Sequence, residues 1–321
     1  MKKIAYIYQT DNRWGYAAKT VANGFKNAFV EKGDHFRFFD INAFKSSFWP
    51  TEKIKLRNFS PDIIFTSVEN IPLLPLNILK PTALVLWGSF YSPCDYEPQI
   101  HAIDERTKQV LNKYSSKHNI LIWSQHSEDI NEQFFNGYHK ELGLKFIQLL
   151  HCADKTKHTK AILTPEFDFL WIGNTSHRLS TYQSFIEPLK KEYKNYLEYT
   201  EHNSIDPETV ELEKLYSRSY ITPNVHTAAQ IEFNILLNER VFTSSMLGGF
   251  QICDNLLARQ YFNEEELIIA TDSDDFIEKT RYYISHPEER LKMINKMQIN
   301  LLNNHTYFNR IEDIISALEK N

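Results

Sequence analysis

The sequence is short of several things that would define a class. It has three cysteines, Cys94, Cys152 and Cys253, in 321 residues. They are far apart and odd in number, which argues against a disulfide framework or a Cys-rich zinc centre and fits a reducing compartment. No stretch approaches the roughly 20 apolar residues of a membrane span. The apolar run in MKKIAYIYQTDNRW is broken at Gln9 and Asp11 before it can act as a signal-peptide core. Positive charge is scarce too: 36 basic residues against 41 acidic ones give a net charge of −5, which argues against a nucleic-acid partner. There is no low-complexity segment and no short-period repeat. These absences lead to the expectation of a soluble, cytoplasmic protein that does not bind nucleic acid.

What remains is an ordinary globular balance, 42% hydrophobic and 24% charged, enough to bury a core. Short apolar runs at Lys3–Tyr8, Phe36–Ile41, Ile63–Phe65, Ala83–Trp87, Asn119–Trp123 and Phe146–Leu150 read as strands. Helix-length segments separate most of them, including one from Ala17 to Lys32 that stops at Gly33. After a polar stretch from Asp154 to Glu166 the pattern restarts with a strand at Phe167–Ile172 and another at Ser219–Val225. A helix is expected over Asn238–Leu247, then short strands at Phe250–Cys253 and Leu267–Ala270, and helices to the end. Two α/β halves with mostly parallel sheets are expected.

Only nine glycines are present, yet two are adjacent at Gly248-Gly249. With Asn238 as N-cap of the preceding helix, the pair lets the chain reverse from helix into strand through a left-handed turn. Arg240 falls in the first turn of that helix, where a cation is mildly unfavourable. Either an anion is bound there, or the arginine points outward and pairs with an acid such as Glu239. On the first reading Arg240→Ala costs turnover and leaves the fold intact.

The run Asn238-x-Arg240-x-Phe242, with Gly248-Gly249-Phe250 and Asp254 after it, resembles the CgeB-like glycosyltransferases, relatives of the group 1 (GT4-like) enzymes of GT-B fold. Similarity continues through FNEEELIIATD (Phe262 to Asp272), SHPEER (Ser285 to Arg290) and HTYFNR (His305 to Arg310). Upstream, WIGNTSHR (Trp171 to Arg178) and ITPNVH (Ile221 to His226) fit the same pattern. The resemblance covers about half of the chain well and the N-terminal half loosely. One departure stands out: the family usually has an acid after Phe242 that binds the ribose, and this chain has Thr243.

The resemblance implies a GT-B fold, two Rossmann-like domains facing across a cleft: residues 1–155 on the acceptor side, 156–305 holding the donor, and a C-terminal helix, 306–321, packing back on the first. It implies transfer of a sugar from a nucleotide-diphosphate sugar, UDP-type favoured, to a glycan or glycolipid acceptor in cell-envelope or lipopolysaccharide synthesis. No cofactor or metal is expected, retention of configuration is favoured, and peripheral membrane association is allowed. Catalytic candidates are Arg240, Arg178 and His126. Gly173, Asn174, Asn224, His226, Asn238, Thr243 and Gly248 are expected around the donor, and Arg13, Trp14, Gly15 and Trp87 on the acceptor and sugar side. Each has a plainer reading as a loop, turn or packing residue. HCADKTKH (His151 to His158) matches no zinc spacing. A nucleotide-sugar epimerase or hydrolase, or a non-catalytic relative, stays open.

Overall fold

The computed structural model describes residues 1–9, 16–45, 51–88, 103–135, 138–200, 212–232, 234 and 236–320. These form two compact units. The first contains the described residues up to Leu150 together with Phe308 onward, and the second is His151–Tyr307.

The first unit is built on β1 (Lys3–Tyr8), β2 (His35–Asp40), β3 (Ile63–Ser67), β4 (Ala83–Trp87), β5 (Asn119–Ser124) and β6 (Lys145–Gln148). They lie in the order β2-β1-β3-β4-β5-β6, and every pairing is parallel. Position in the sheet explains the sequence of each strand. Central β4 reads ALVLW with Leu84, Val85 and Leu86 fully buried, as a strand covered on both faces must. Edge strand β2 reads HFRFFD and exposes His35 and Arg37 in alternation. Helix α1 (Tyr16–Glu31) buries Phe25, Ala28 and Phe29. It ends at Gly33, whose φ of 83° lets Asp34 N donate back to Phe29 O (2.9 Å).

In the second unit β7 (Phe167–Ile172), β8 (Tyr196–Tyr199), β9 (Ser219–Asn224), β10 (Gln251–Cys253) and β11 (Ile268–Ile269) form a parallel sheet of order β11-β10-β9-β7-β8. Its core joins Phe169, Trp171, Ile221 and Ile252 from the strands, and Phe250 just before β10, to Ile186, Phe276 and Ile294 from the helices. Helix α2 (Arg240–Met246) leads into β10, and α3 (Ser273–Ser285) and α4 (Pro287–Asn304) follow. Asp272 caps α3 by accepting from Asp275 N (2.9 Å). Arg290, in the SHPEER run, is buried and clamps α4 to the chain before β7 through Leu163 O (2.7 Å). The last helix, α5 (Tyr307–Glu319), returns to the first unit, where Asn119 Nδ2 and Lys145 Nζ donate to Leu318 O (2.9 and 3.2 Å). Among the described residues no helix is long and apolar enough to cross a membrane.

His118 gives the first unit a pH dependence. Its ring is buried, with Nδ1 accepting from Thr82 N (3.3 Å) and Nε2 donating to Leu76 O (3.2 Å). That pattern needs the neutral ring, and burial lowers its pKa from 6.5. Below that value the unfolded chain takes up a proton that the folded ring resists, so stability falls with pH. A His118→Gln chain starts less stable at about pH 7.5 and should then lose less than wild type on acidification to about pH 5.5. Equal losses in thermal melts of the two would show that the ring titrates freely.

Candidate functional site

Strand order in the second unit reverses at β7, which has β8 on one side and β9, β10 and β11 on the other. Open parallel sheets take their ligands outside the carboxyl ends of the strands at such a reversal. Arg240 spans that point. Its Nη1 donates to Ile172 O at the end of β7, and its Nη2 donates to Val225 O just past β9 (3.0 Å). The guanidinium lies 5.0 Å from the centre of the Trp171 ring, and the residue is only 7% exposed. Among the described residues it has no acidic partner within ion-pair distance. The outward, Glu239-paired arginine is therefore not what forms, and the arginine of the anion reading turns out to be already tied to two carbonyls.

Gly173, immediately after β7, is where a second cation joins. A Cβ placed there would lie 2.9 Å from Trp171 Cζ2, 3.0 Å from Arg178 Nη1 and 3.1 Å from Arg240 Nη1. Only a residue without a side chain lets two guanidinium groups meet over that turn. Gly173 N donates to Tyr199 O on β8 (3.0 Å), which anchors the turn, and Asn174 follows it, partly exposed. Arg178 closes a short 3-10 turn, Ser176–Arg178, and is also partly exposed. Gly173 thus brings the Arg178 and Arg240 side chains to one turn at the switch point.

Three expected ligands prove to be supports. His226 is fully buried: Nδ1 donates to Asp254 Oδ1 (2.7 Å) and Nε2 accepts from Asn238 N (3.2 Å). Its own N–H goes to Asp254 Oδ2 (2.9 Å), and its carbonyl accepts from Thr181 Oγ1 (2.8 Å). Both ring nitrogens are occupied, so the ring fixes where the chain enters α2. Asn224 donates through Nδ2 to Gln251 Oε1 (2.6 Å) beneath the helix. Gly248 has φ 80°, and a Cβ on it would lie 3.0 Å from Thr159 O and from Ser217 Cβ, so it serves the reversal and packing. Its neighbour Gly249 is needed for another reason, since a Cβ there would lie 2.7 Å from Ser244 Oγ. Asn238 is not the N-cap: the helix starts at Arg240 after Glu239, and the Asn238 side chain makes no cap bond. Thr243 alone among the residues of α2 is partly exposed.

In the first unit His126 is buried, with its ring nitrogen Nδ1 3.1 Å from Ser124 Oγ, a local arrangement rather than a ring presented to a substrate. Trp87, partly buried, stacks on Trp123 at 5.8 Å. Arg13, Trp14 and Gly15 lie outside the described residues. Glu69, just after β3, carried no sequence signal. The pKa of its carboxyl is pushed up to about 7, first by partial removal from water and then by the charge of Asp104.

His226, Cys253 and Asp254 bring potential metal ligands together. The imidazole nitrogens are already engaged, and burial raises the pKa of the Cys253 thiol, so this group does not fit a divalent cation without dismantling the support.

The sequence profile of the glycosyl transferase-like family matches residues 154–316, just over half of the chain. No curated protein sequence matches it. Among solved structures, an alpha-glucosyltransferase in complex with UDP is 10% identical over 100% of both chains, with a TM-score of 0.60. An alpha-glucosyltransferase in complex with UDP and a 13-mer DNA containing a HMU base gives 10%, 100% of both chains and 0.56. The sucrose-phosphate synthase from Thermosynechococcus elongatus gives 11%, 99% of both chains and 0.57. At these identities the likeness establishes the fold, two parallel-sheet Rossmann-like units of GT-B type.

Because Arg240 ties two strand ends together, Arg240→Ala should weaken the fold, contrary to the expectation of an intact one. It orphans two buried carbonyls at about 1–3 kcal/mol each, which lowers the melting midpoint by several degrees. Arg240→Lys, which lacks the planar fork, should recover only part of this. An Arg240→Ala protein melting with wild type would show that the bridge is not made.

Proposed function

The chain belongs to the glycosyl transferase-like family, and on that premise we propose that it moves a sugar from a nucleotide-diphosphate donor to an acceptor hydroxyl. The observation that carries this reading is the meeting of Arg178 and Arg240 over Gly173 at the switch point of the second sheet. When the bond between the anomeric carbon and the diphosphate oxygen breaks, negative charge builds up on the diphosphate. Cations already fixed in place stabilise that charge without reorganising. A guanidinium has five N–H donors. Arg240 spends two on carbonyls and keeps the rest, while Arg178 reaches the same turn from a loop.

On this reading the two arginines supply the positive charge that a divalent ion supplies elsewhere, and the reaction is metal-independent. A uridine donor is favoured, since UDP is the nucleotide in the alpha-glucosyltransferase structures. Retention of configuration and placement among the CgeB-like enzymes rest on the Asn238-x-Arg240-x-Phe242 run. The acceptor is a glycan or glycolipid of the cell envelope, handled in the cytoplasm at the inner face of the membrane. A DNA acceptor is disfavoured by the net charge of −5. Thr243 in place of the usual acid favours one rival, a family member that has lost its donor.

A thermal-shift panel of UDP, GDP, CDP, dTDP and ADP, with magnesium and with EDTA, tests the reading. At about 100 times its dissociation constant the right nucleotide adds roughly 2.7 kcal/mol and raises the midpoint by several degrees. The shift should survive EDTA and disappear in Arg178→Ala. If none of the five moves the wild-type midpoint, the donor site is lost and the non-catalytic reading takes over. Nucleotide release that ignores added acceptor would instead indicate an epimerase or hydrolase.

A further inference from the structure

The chain entering α2 is pinned by hydrogen bonds, and both backbone groups of Asn238 are bonded. Leu236 O accepts from Asn255 Nδ2 (3.2 Å), Asn238 N donates to His226 Nε2 (3.2 Å), and Asn238 O accepts from Val241 N (3.2 Å). The Asn238 side chain is the exception. The residue is 6% exposed, and neither Nδ2 nor Oδ1 has a hydrogen-bond partner. Buried amides without partners are rare, and one held in place by a fully bonded backbone calls for an explanation.

A second unpaired atom nearby has a simpler one. Asn224 Oδ1 also lacks a partner, but Asn224 lines a cavity of about 10 Å³ with Thr222, Arg240 and Gln251. That is about the room one water needs. Asn238 does not line that cavity.

What would satisfy Asn238 follows from its chemistry. The amide offers N–H donors and a carbonyl acceptor from one rigid plane. A diphosphate at neutral pH only accepts, and would leave Oδ1 unpaired. A hydroxyl both gives and accepts, so one or two neighbouring hydroxyls satisfy both atoms. We infer that the Asn238 carboxamide reads hydroxyl groups of the donor, on the transferred sugar or on the ribose, beside the arginines that hold the diphosphate. This rests on the donor-site reading above and extends it from charge to stereochemistry. A ligand that engages the amide also has to displace the side chains that now cover it.

Binding of UDP, 2′-deoxy-UDP and UDP-glucose to wild type, Asn238→Ala and Asn238→Leu tests the inference, with melting of each free protein alongside. Removing an unpaired amide should leave the melting midpoint unchanged or higher, while affinity falls about tenfold, the loss expected when one good hydrogen-bonded contact disappears. A loss confined to UDP-glucose assigns the amide to the transferred sugar. Equal losses for UDP and UDP-glucose, with 2′-deoxy-UDP unaffected, assign it to the ribose. Wild-type affinities in both variants would overturn the inference and leave the donor-site reading standing. Wild type binding none of the three, nor any other nucleotide of the panel above, would overturn both.

Discussion

The second unit depends on a buried cation that holds two strands together at their ends. In a parallel sheet, the strands on either side of a reversal diverge just where the ladder stops, and their last carbonyls are left without partners. Arg240 takes one from each side, Ile172 O and Val225 O. Taking a guanidinium out of water is costly, and carbonyl acceptors with an aromatic face repay part of that without a neutralising acid. The positive charge is therefore retained at the switch point. Bridge and charge are the same group, so stability and anion affinity cannot be separated by removing it. Arg178, which reaches the turn from the short Ser176–Arg178 segment, is the better probe of binding.

Arg240 can hold that position only because its helix is oriented by directional bonds as well as by apolar packing. Thr222 Oγ1 meets Ser244 Oγ (2.8 Å), and Gln251 Nε2 donates to Val241 O (2.8 Å) and Ser245 Oγ (2.7 Å). From the far side Gln298 Nε2 donates to Ser245 O (2.9 Å). Hydrogen bonds fix a rotation about the helix axis that oily contacts would leave loose. Phe242 supplies the apolar anchor, edge-on to Phe262 (5.7 Å) and tilted against His305 (5.6 Å). Three stretches far apart in sequence converge on that one ring, which is why they form a pattern together and are weak signals singly.

Apolar runs and turn residues made much of the fold legible. β1, β4 and β7 match their expected limits because each is a central, near-continuous apolar segment. β8, Tyr196–Tyr199, left no such trace: it is an edge strand whose four residues are all half-buried. Side-chain direction was the harder problem. His226 and Asn224 stood out in the sequence, and their hydrogen bonds place them in the frame, while Arg240 is bound to the frame through two of its donors. Sequence locates a polar residue at a strand end; it does not say whether a carbonyl 15 or 68 residues away has already claimed it, as for Arg240. Glu69 shows the reverse, since the partial removal from water that raises the pKa of its carboxyl is a property of the folded chain alone.

The same accounting separates frame from site. At the entry to α2, polar groups of His226, Asp254, Gln251 and Thr222 have partners within the protein. Such a network is rigid, and rigidity is what allows a small mismatch to persist; in a softer setting Asn238 would turn to find a carbonyl or solvent. Its unpaired amide is therefore as informative as the paired arginine two residues later. One group is held in place by carbonyls, and the other remains unpaired because its backbone is held. Together they set a fixed cation and a fixed donor–acceptor pair two residues apart, and a ligand with adjoining anionic and hydroxylated parts is the kind of molecule that satisfies both.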